Sequence, residues 1–354
     1  MDRTAPVPPD SPDTSGTPSV PGASGNSGCR DTSEALVPFE PFTFASADGA
    51  TVVSGGFWLP PASRPPVATL QIVHGMTEHI GRYDRFARRL ALMDCAVAAH
   101  DHVGHGKSVS TPESPADSWG YLEPNAGAGH LVEDVHTVRG IVDGHFPGVP
   151  HVLFGHSMGS FVSRAYVGRH GSGLDAAIFC GTGWQPRVAL AFGGAVTSAM
   201  GRLFGWSHVS PLVESLVIGA YARRFASEND PLAWLSRDPD SNEAYRRDDA
   251  CGFPFTVAGY HELFRLIAIA QDRSLVSAMP HDLPVLLISG ADDPVGNMGR
   301  GAPKVAELLR SCGVADVELR LYQGARHELL NETNRDEVFA DIVSWLSQKG
   351  VFHA

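Results

Sequence analysis

Gly155-His156-Ser157-Met158-Gly159 is the stretch on which the reading of this chain turns. It follows His151-Val152-Leu153-Phe154, a short apolar run that reads as a buried strand. Phe161, Val162, Ala165 and Tyr166 come after it at helical spacing. A glycine-flanked serine where a strand passes into a helix has the build of a nucleophile elbow. Such a turn strains the serine backbone and leaves its hydroxyl exposed at the sheet edge. Glycines two residues to either side keep side chains out of the space where strand and helix pass. The helix N-terminus adds free N–H groups and a positive dipole end, which suit a developing oxyanion. With 38 glycines in 354 residues, the pentapeptide alone matches by chance too readily to decide anything. A glycine–serine turn that merely caps a helix makes no demand on the rest of the chain. An elbow does.

It demands an acid and a histidine further on, in that order. Val285-Leu286-Leu287-Ile288-Ser289 runs into Gly290-Ala291-Asp292-Asp293-Pro294. This places acids at the carboxyl end of a strand, just past a glycine. Asp293 precedes Pro294, whose fixed φ stiffens the turn. Asp292 competes, with the role of capping the turn, and Asp293 is the favoured acid. Val317-Glu318-Leu319-Arg320-Leu321-Tyr322 reads as the last strand, followed by Gln323-Gly324-Ala325-Arg326-His327-Glu328. Of 16 histidines, position after that strand singles out His327. Its loop is expected to deliver an imidazole to Ser157 while Asp293 holds the other ring nitrogen. A second oxyanion donor is expected from the loop His74-Gly75-Met76-Thr77-Glu78-His79. The N–H groups of Met76 and Met158 are then the pair of donors, with Gly75 allowing close backbone approach.

Outward from these loops the punctuation is regular. Residues 39–47 and 51–59 read as an antiparallel pair turned at Asp48-Gly49. Strands are expected at 67–73, 95–99, 152–154, 176–180, 283–289 and 317–322. Helices are expected at 83–93, with Phe86, Leu90 and Met93 inward, along the stripe Leu131, Val135, Val138 and Val142, and at 302–309. A last helix starts near Asn334 and turns Val338, Ile342 and Trp345 inward. Strands alternating with helices argue a mainly parallel sheet covered on both faces, with its site at the strand carboxyl ends.

Residues 183–272 break the alternation, with helical or irregular pattern and no strand candidate. The part at 188–203 is apolar and small, and Tyr260, Leu263, Phe264 and Ile267 form an i, i+3, i+4, i+7 face. A helical insertion here would sit over the strand ends as a cap, dividing a core at 38–182 and 273–350. Its apolar residues could line an acyl tunnel or dip into a membrane surface. For most of them, packing on the main domain is the favoured expectation. Residues 1–37 are rich in Pro, Ser, Thr, Gly and Asp and read as a disordered tail. They have neither the basic nor the apolar region of a secretory signal.

Composition removes other classes. A chain 43% hydrophobic can bury a core, and a net charge of −12 argues against nucleic acid and against electrostatic attraction to anionic membranes. No apolar run is long enough to span a bilayer. Five scattered cysteines without zinc-like spacing fit free thiols in a reducing compartment. His100, His102 and His105 with Asp101 raise a metal site, but no metal or cofactor is expected.

Four pieces then carry a resemblance over about 39–346. They are the His74 to His79 loop with Gly81-Arg82-Tyr83, Asp101-His102-Val103-Gly104-His105-Gly106-Lys107-Ser108, the Ser157 pentapeptide, and Gly290-Ala291-Asp292-Asp293 with Gly324-Ala325-Arg326-His327-Glu328. The chain resembles the α/β-hydrolase superfamily, and within it the monoacylglycerol lipase/lysophospholipase-like group of serine aminopeptidase-type hydrolases. The resemblance implies an eight-stranded, mainly parallel sheet with a helical cap before the acid-bearing strand. It maps a triad onto Ser157, Asp293 and His327 and oxyanion positions onto Met76 and Met158. It maps polar contacts to an alcohol head group onto Glu78 and Arg82.

The expected chemistry is hydrolysis of carboxylic esters of lipid-like substrates, monoacylglycerol or lysophospholipid, through an acyl-enzyme. The alternatives are a thioesterase, acyltransferase or aminopeptidase on the same fold, or a non-catalytic lipid-binding protein. A peptidase would need a cap carboxylate for the substrate amino terminus, and Glu214, Glu228 and Glu243 are undistinguished in the sequence. A cytoplasmic protein, peripheral to membrane through transient contact of its cap, is the expected placement.

Overall fold

The computed structural model describes residues 37–352, apart from 62–64, 112 and 115–116. All but the last residue of the expected tail lies outside the described residues. In chain order the strands are β1 (Phe39–Ala45), β2 (Val52–Trp58), β3 (Ala68–Val73), β4 (Cys95–His100), β5 (His151–His156), β6 (Ala176–Cys180), β7 (Val285–Gly290) and β8 (Val317–Tyr322). They form one sheet in the order β1-β2-β4-β3-β5-β6-β7-β8. β2 pairs antiparallel with β1 and β4, and the remaining pairings are parallel. This is the α/β-hydrolase topology that the resemblance implies.

Every residue of β3, β4, β5, β6 and β7 is buried. That is why these segments read as continuous apolar runs and not as alternating ones. The strand period still shows in their packing. Leu153 belongs to one apolar core, whereas Val152 and Phe154 belong to the other. The first core is covered by α2 (Gly127–His145), α3 (Met158–His170) and α9 (Gly301–Ser311), and the second by α1 (Asp84–Ala91) and α10 (Arg335–Gln348). The helix expected at 83–93 is shorter than its pattern suggested. A 3-10 turn occupies Ile80–Tyr83, α1 stops at Ala91, and Met93 is 41% exposed instead of inward. Asp94, at φ +62°, reverses the chain into β4.

Between β6 and β7 lie α4 (Arg187–Phe204), α5 (Pro211–Ala222), α6 (Pro239–Arg247), α7 (Val257–Ala270) and α8 (Arg273–Val276), with no named strand. The small residues of α4 serve its approach to α7. A Cβ on Gly193 would lie 2.7 Å from the Phe264 ring, and Thr197 is buried with its hydroxyl 3.1 Å from His261 Nδ1. The large apolar residues do something else. Val188, Phe192, Leu203 and Phe204 are 64–82% exposed and are exceptions to the expectation that most apolar residues of the insertion are packed against protein. A helix one residue-width from its neighbour buries only the stripe that faces it.

Candidate active site

Ser157 sits between β5 and α3 with φ +52° and ψ −120°, a region that a side chain makes costly by about 1–3 kcal/mol. The surroundings hold it there. Its N–H donates to Cys180 O at 3.0 Å, and its own carbonyl accepts from Ser160 N at 2.9 Å and Ser160 Oγ at 2.6 Å. The flanking glycines are required by contact. A Cβ on Gly159 would stand 2.0 Å from Val73 O, and one on Gly155 2.3 Å from Ser163 Oγ and 2.5 Å from Gly159 O.

Across the strand ends, Ser157 Oγ lies 2.8 Å from His327 Nε2. His327 Nδ1 lies 3.1 Å from each carboxylate oxygen of Asp293. With Nδ1–H donating to that carboxylate, Nε2 is left to accept the Ser157 hydroxyl proton. Asp293 is fully buried, and its Oδ1 also accepts from Val295 N at 2.8 Å. Asp292 stays half-buried, and its N–H donates to Ala325 O at 3.0 Å. Of the two competing acids, the fold brings Asp293 to the imidazole.

The loop that carries His327 is fastened to the helical segment. His327 N–H donates to Trp234 O at 3.4 Å and Glu328 N–H to Leu235 O at 2.8 Å. The Trp234 ring lies 5.4 Å from the imidazole, and the Arg326 guanidinium donates to Ala233 O and Glu228. Sequence reasoning missed Trp234 and Arg326. Their partners are more than ninety residues away along the chain, and no local pattern marks them.

Gly75 brings the loop after β3 against the elbow, where its added Cβ would be 3.1 Å from Ser157 Cβ. Among the described residues, neither the Met76 nor the Met158 amide has a hydrogen-bond acceptor, and both residues border the cavity above Ser157. Glu78 locks this loop from below. Its Oε1 accepts from Gly75 N at 2.5 Å and from Tyr83 OH at 2.7 Å, and lies 3.2 Å from His156 Nδ1. Burial opposes the Glu78 charge, but the His156 hydrogen bond and charge, then Arg82 and Tyr83, outweigh it and hold the carboxyl at about 2. Burial likewise opposes a charged His156, and Glu78 overcomes it, raising the imidazole above its usual value. Arg82 is not a cavity residue. Its guanidinium donates to Glu328, stands 3.7 Å from Glu78 and lies 5.0 Å over the Tyr245 ring. Any influence of Arg82 on a bound alcohol therefore passes through Glu78 and Glu328.

The cavity itself is about 450 Å³ and opens on Ser157 and His327. One part of its wall is apolar, with Phe161, Val217, Ile218, Leu263 and Ile267. Another part is polar, with Thr77, Glu78, Tyr245 and Glu328. No lysine or arginine is among the described residues that line it. Of the three carboxylates singled out in the helical segment, Glu214 lines the cavity and accepts from Tyr260 OH at 2.8 Å, whereas Glu228 pairs with Arg326 and Glu243 with Arg246 and Arg247.

Two groups bear on metal binding. His79, Asp248 and Cys251 hold their donor atoms within 4.8 Å of one another. His79 Nδ1 already accepts from Gly81 N, so Nε2 carries the proton and donates to Asp248 Oδ2 at 2.8 Å. That tautomer gives a metal no lone pair at Nε2. Asp101, beside the buried His100, His102 and His105, accepts from Ile80 N and Lys107 N and organises its own loop. Cys95, Cys180, Cys251 and Cys312 are free and buried, and no described helix is long and apolar enough to cross a membrane.

Known proteins carry the same architecture. A family profile described as serine aminopeptidase, S33, matches residues 64–334. A monoacylglycerol lipase of Mycolicibacterium smegmatis is 28% identical over 309 residues, 86% of this chain and 95% of that one. The monoglyceride lipase of Homo sapiens is 29% identical over 316 residues, 83% of this chain and 86% of that one. The crystal structure of a highly thermostable carboxyl esterase from Bacillus coagulans in complex with glycerol superposes with a TM-score of 0.80. It is 30% identical and covers 89% of this chain and 99% of its own.

Proposed function

The chain belongs to the serine aminopeptidase (S33) family of hydrolases, and from that we propose that it is a serine hydrolase of neutral, lipid-like carboxylic esters. The observation that carries the reading is the 2.8 Å approach of His327 Nε2 to a strained Ser157 at the mouth of a largely apolar cavity. Ser157 Oγ attacks the ester carbonyl as His327 takes its proton. The developing oxyanion accepts from the amides of Met76 and Met158. His327 then protonates the departing alcohol oxygen, and a water, deprotonated by the same imidazole, hydrolyses the acyl-enzyme. Asp293 orients the ring and stabilises the imidazolium. The acyl chain lies along Phe161, Leu263 and Ile267, and the alcohol faces Thr77, Glu78, Tyr245 and Glu328.

Charge narrows the alcohol. Glu78 and Glu328 line the cavity but are paired with Arg82, and Glu78 also with His156, which leaves Glu214 as the lining carboxylate with no ion pair among the described residues. An anionic leaving group such as coenzyme A finds no lysine or arginine on the cavity surface to receive it, which disfavours the thioesterase alternative. The relatives' names point the same way, to monoacylglycerols. The exposed apolar residues of α4 and α5 would bring the cavity mouth to a lipid surface. The test is a panel of monoacylglycerol, lysophospholipid, acyl-CoA and aminoacyl substrates. Monoacylglycerol is expected to lead acyl-CoA by about tenfold or more in kcat/KM. Ser157→Ala is expected to lose about 10⁴-fold or more in kcat and all labelling by a fluorophosphonate probe. Retained ester turnover in that variant would sink the mechanism. Aminoacyl preference would shift the reading to a peptidase using Glu214.

A further inference from the structure

Arg164 lies on α3, seven residues past Ser157, and is wholly buried. A buried charge normally has a counter-ion, because its desolvation is costly. Among the described residues no carboxylate pairs with this one. Three other acceptors receive it. Nη2 donates to Ala270 O at 2.7 Å, and Nη1 to Thr182 Oγ1 at 3.3 Å and Gly183 O at 3.4 Å.

Their places in the chain give the arrangement its meaning. Ala270 is the last residue of α7, where free carbonyls and the negative end of the helix dipole favour a cation. Thr182 and Gly183 follow β6 directly, where the chain departs into the helical segment. One guanidinium thus grips the segment where it leaves the sheet and where it returns. A second fastening lies beside it. Gln185 N–H donates to Gln271 Oε1 at 2.9 Å, and Gln271 Nε2 donates to Gln185 O at 2.8 Å.

We propose that Arg164, with the Gln185–Gln271 pair, is a positioning device for the acyl side of the cavity. It pins the carboxyl end of α7 and the start of the helical segment to the helix that carries Ser157. α7 supplies Leu263 and Ile267 to the apolar wall, and α3 supplies Phe161, whose ring lies 5.9 Å from the Arg164 guanidinium. Releasing the pin lets α7 move against α3, which loosens the grip on a long acyl chain. It leaves the Ser157–His327 approach in place, since His327 is held by other partners. The inference rests on the ester-hydrolase reading of the site.

The test compares p-nitrophenyl acetate with p-nitrophenyl palmitate in the full chain, with melting temperature measured alongside. Arg164→Met fills most of the volume without donors. It is expected to raise KM for the palmitate by about tenfold while changing kcat on the acetate by less than about threefold. Arg164→Lys, which keeps the charge and some donors, is expected to recover part of the palmitate KM. Gln271→Leu cuts the second fastening without disturbing the buried charge. It is expected to shift the palmitate-to-acetate KM ratio in the same direction, and it decides the matter if Arg164→Met does not fold. An unchanged ratio in the folded variants, with a lower melting temperature alone, overturns the proposal. A wild-type chain that hydrolyses no ester overturns the hydrolase reading instead, so the two failures are distinguishable.

Discussion

Glu78 places a carboxylate where solvent does not reach, 3% exposed, and the chain spends three donors on one of its oxygens. The resemblance assigned it to the alcohol head group, and it does line the cavity. Its hydrogen bonds, however, run to Gly75 and to the residue before Ser157, so it ties the loop bearing the Met76 amide to the elbow. The two roles separate in kinetics. Glu78→Gln keeps the shape but removes the charge facing His156. If the carboxylate mainly contacts glycerol, this variant raises KM for monoacylglycerol and leaves p-nitrophenyl esters alone. If it mainly holds the loop, kcat falls for both classes, by about tenfold or more, as expected when oxyanion donors lose their aim. We expect the second outcome, and normal kcat on p-nitrophenyl butyrate would reject it. Arg82, assigned with Glu78, shows how far a residue pattern carries. The motif put it beside the right loop. That its guanidinium is taken up by Glu328 and Tyr245, without itself lining the cavity, depends on chain more than one hundred and fifty residues away.

Among the elements, the five central strands were legible because they are buried on both faces and punctuated by glycine and proline. The expected strand at 67–73 and the observed Ala68–Val73 differ by one residue. Strand β8 was equally clear from a different signal, alternating Glu318 and Arg320 with apolar neighbours at a sheet edge. Ser157, Asp293 and His327 were readable because each follows a strand, and strand ends converge in such sheets. The helical segment was not readable at this level. Helical periodicity says that α4 has an apolar stripe but not whether α7, the core or nothing covers it. The answer differs residue by residue. Leu190 and Thr197 are covered by protein, whereas Val188, Phe192 and Leu203, which share one side at i, i+4 and i+15, face outward. Leu212 and Leu216 add a second exposed pair on α5, about 60% exposed. Burial of one such side chain in lipid is worth about 1.5–3 kcal/mol. Phe192→Asp with Leu203→Asp should therefore weaken flotation with neutral phosphatidylcholine vesicles by about a hundredfold. Hydrolysis of vesicle-borne monoacylglycerol should fall with it, while a water-soluble ester should be turned over as before. Equal flotation of the double variant and the parent would show that these helices do not meet the lipid.

At the scale of the whole molecule, the unusual quantity is the number of histidines kept neutral inside it. His74, His100, His102, His105 and His151 are at most 1% exposed. Burial, the first cause in each, pushes His100 and His105 down to about 4 and His151 to about 3, and holds His74 and His102 well below their usual value. The mutual repulsion of His74, His100, His102 and His105 adds to this. The structure depends on the neutral forms. His74 presents Nδ1–H to Gly75 O at 2.7 Å and accepts from His102 N at Nε2, 2.8 Å away, which a doubly protonated ring cannot do. Linkage then gives the sign. In the unfolded chain these rings take up a proton near 6.5, and in the folded chain they do so at a much lower pH. Between about 4 and 6.5 the unfolded state binds more protons, so their contribution is fully present above 6.5 and is lost as pH falls. His156 runs the opposite way. Its raised value gives stability below 6.5 that is lost as pH rises, and Glu78 contributes above 4.5 and fades towards 2. Asp134, raised to about 6 by burial, and Asp101, raised by burial as well, oppose the five rings alongside His156. Each lowered ring costs up to about 1.4 kcal/mol per pH unit between 6.5 and its own folded value. Total stability of a folded domain is about 5–15 kcal/mol. The urea midpoint is therefore expected to hold steady from pH 8 to 7 and to fall as pH drops below 6.5. His100 offers the cleanest control, because neither ring nitrogen has a partner to lose. His100→Leu should reduce proton uptake on unfolding at pH 5.5 by about one and flatten the decline accordingly. A midpoint independent of pH between 7 and 5 would mean that these rings are not held neutral by the fold, and the buried hydrogen bond from His74 to the Gly75 loop would have to be redrawn with them.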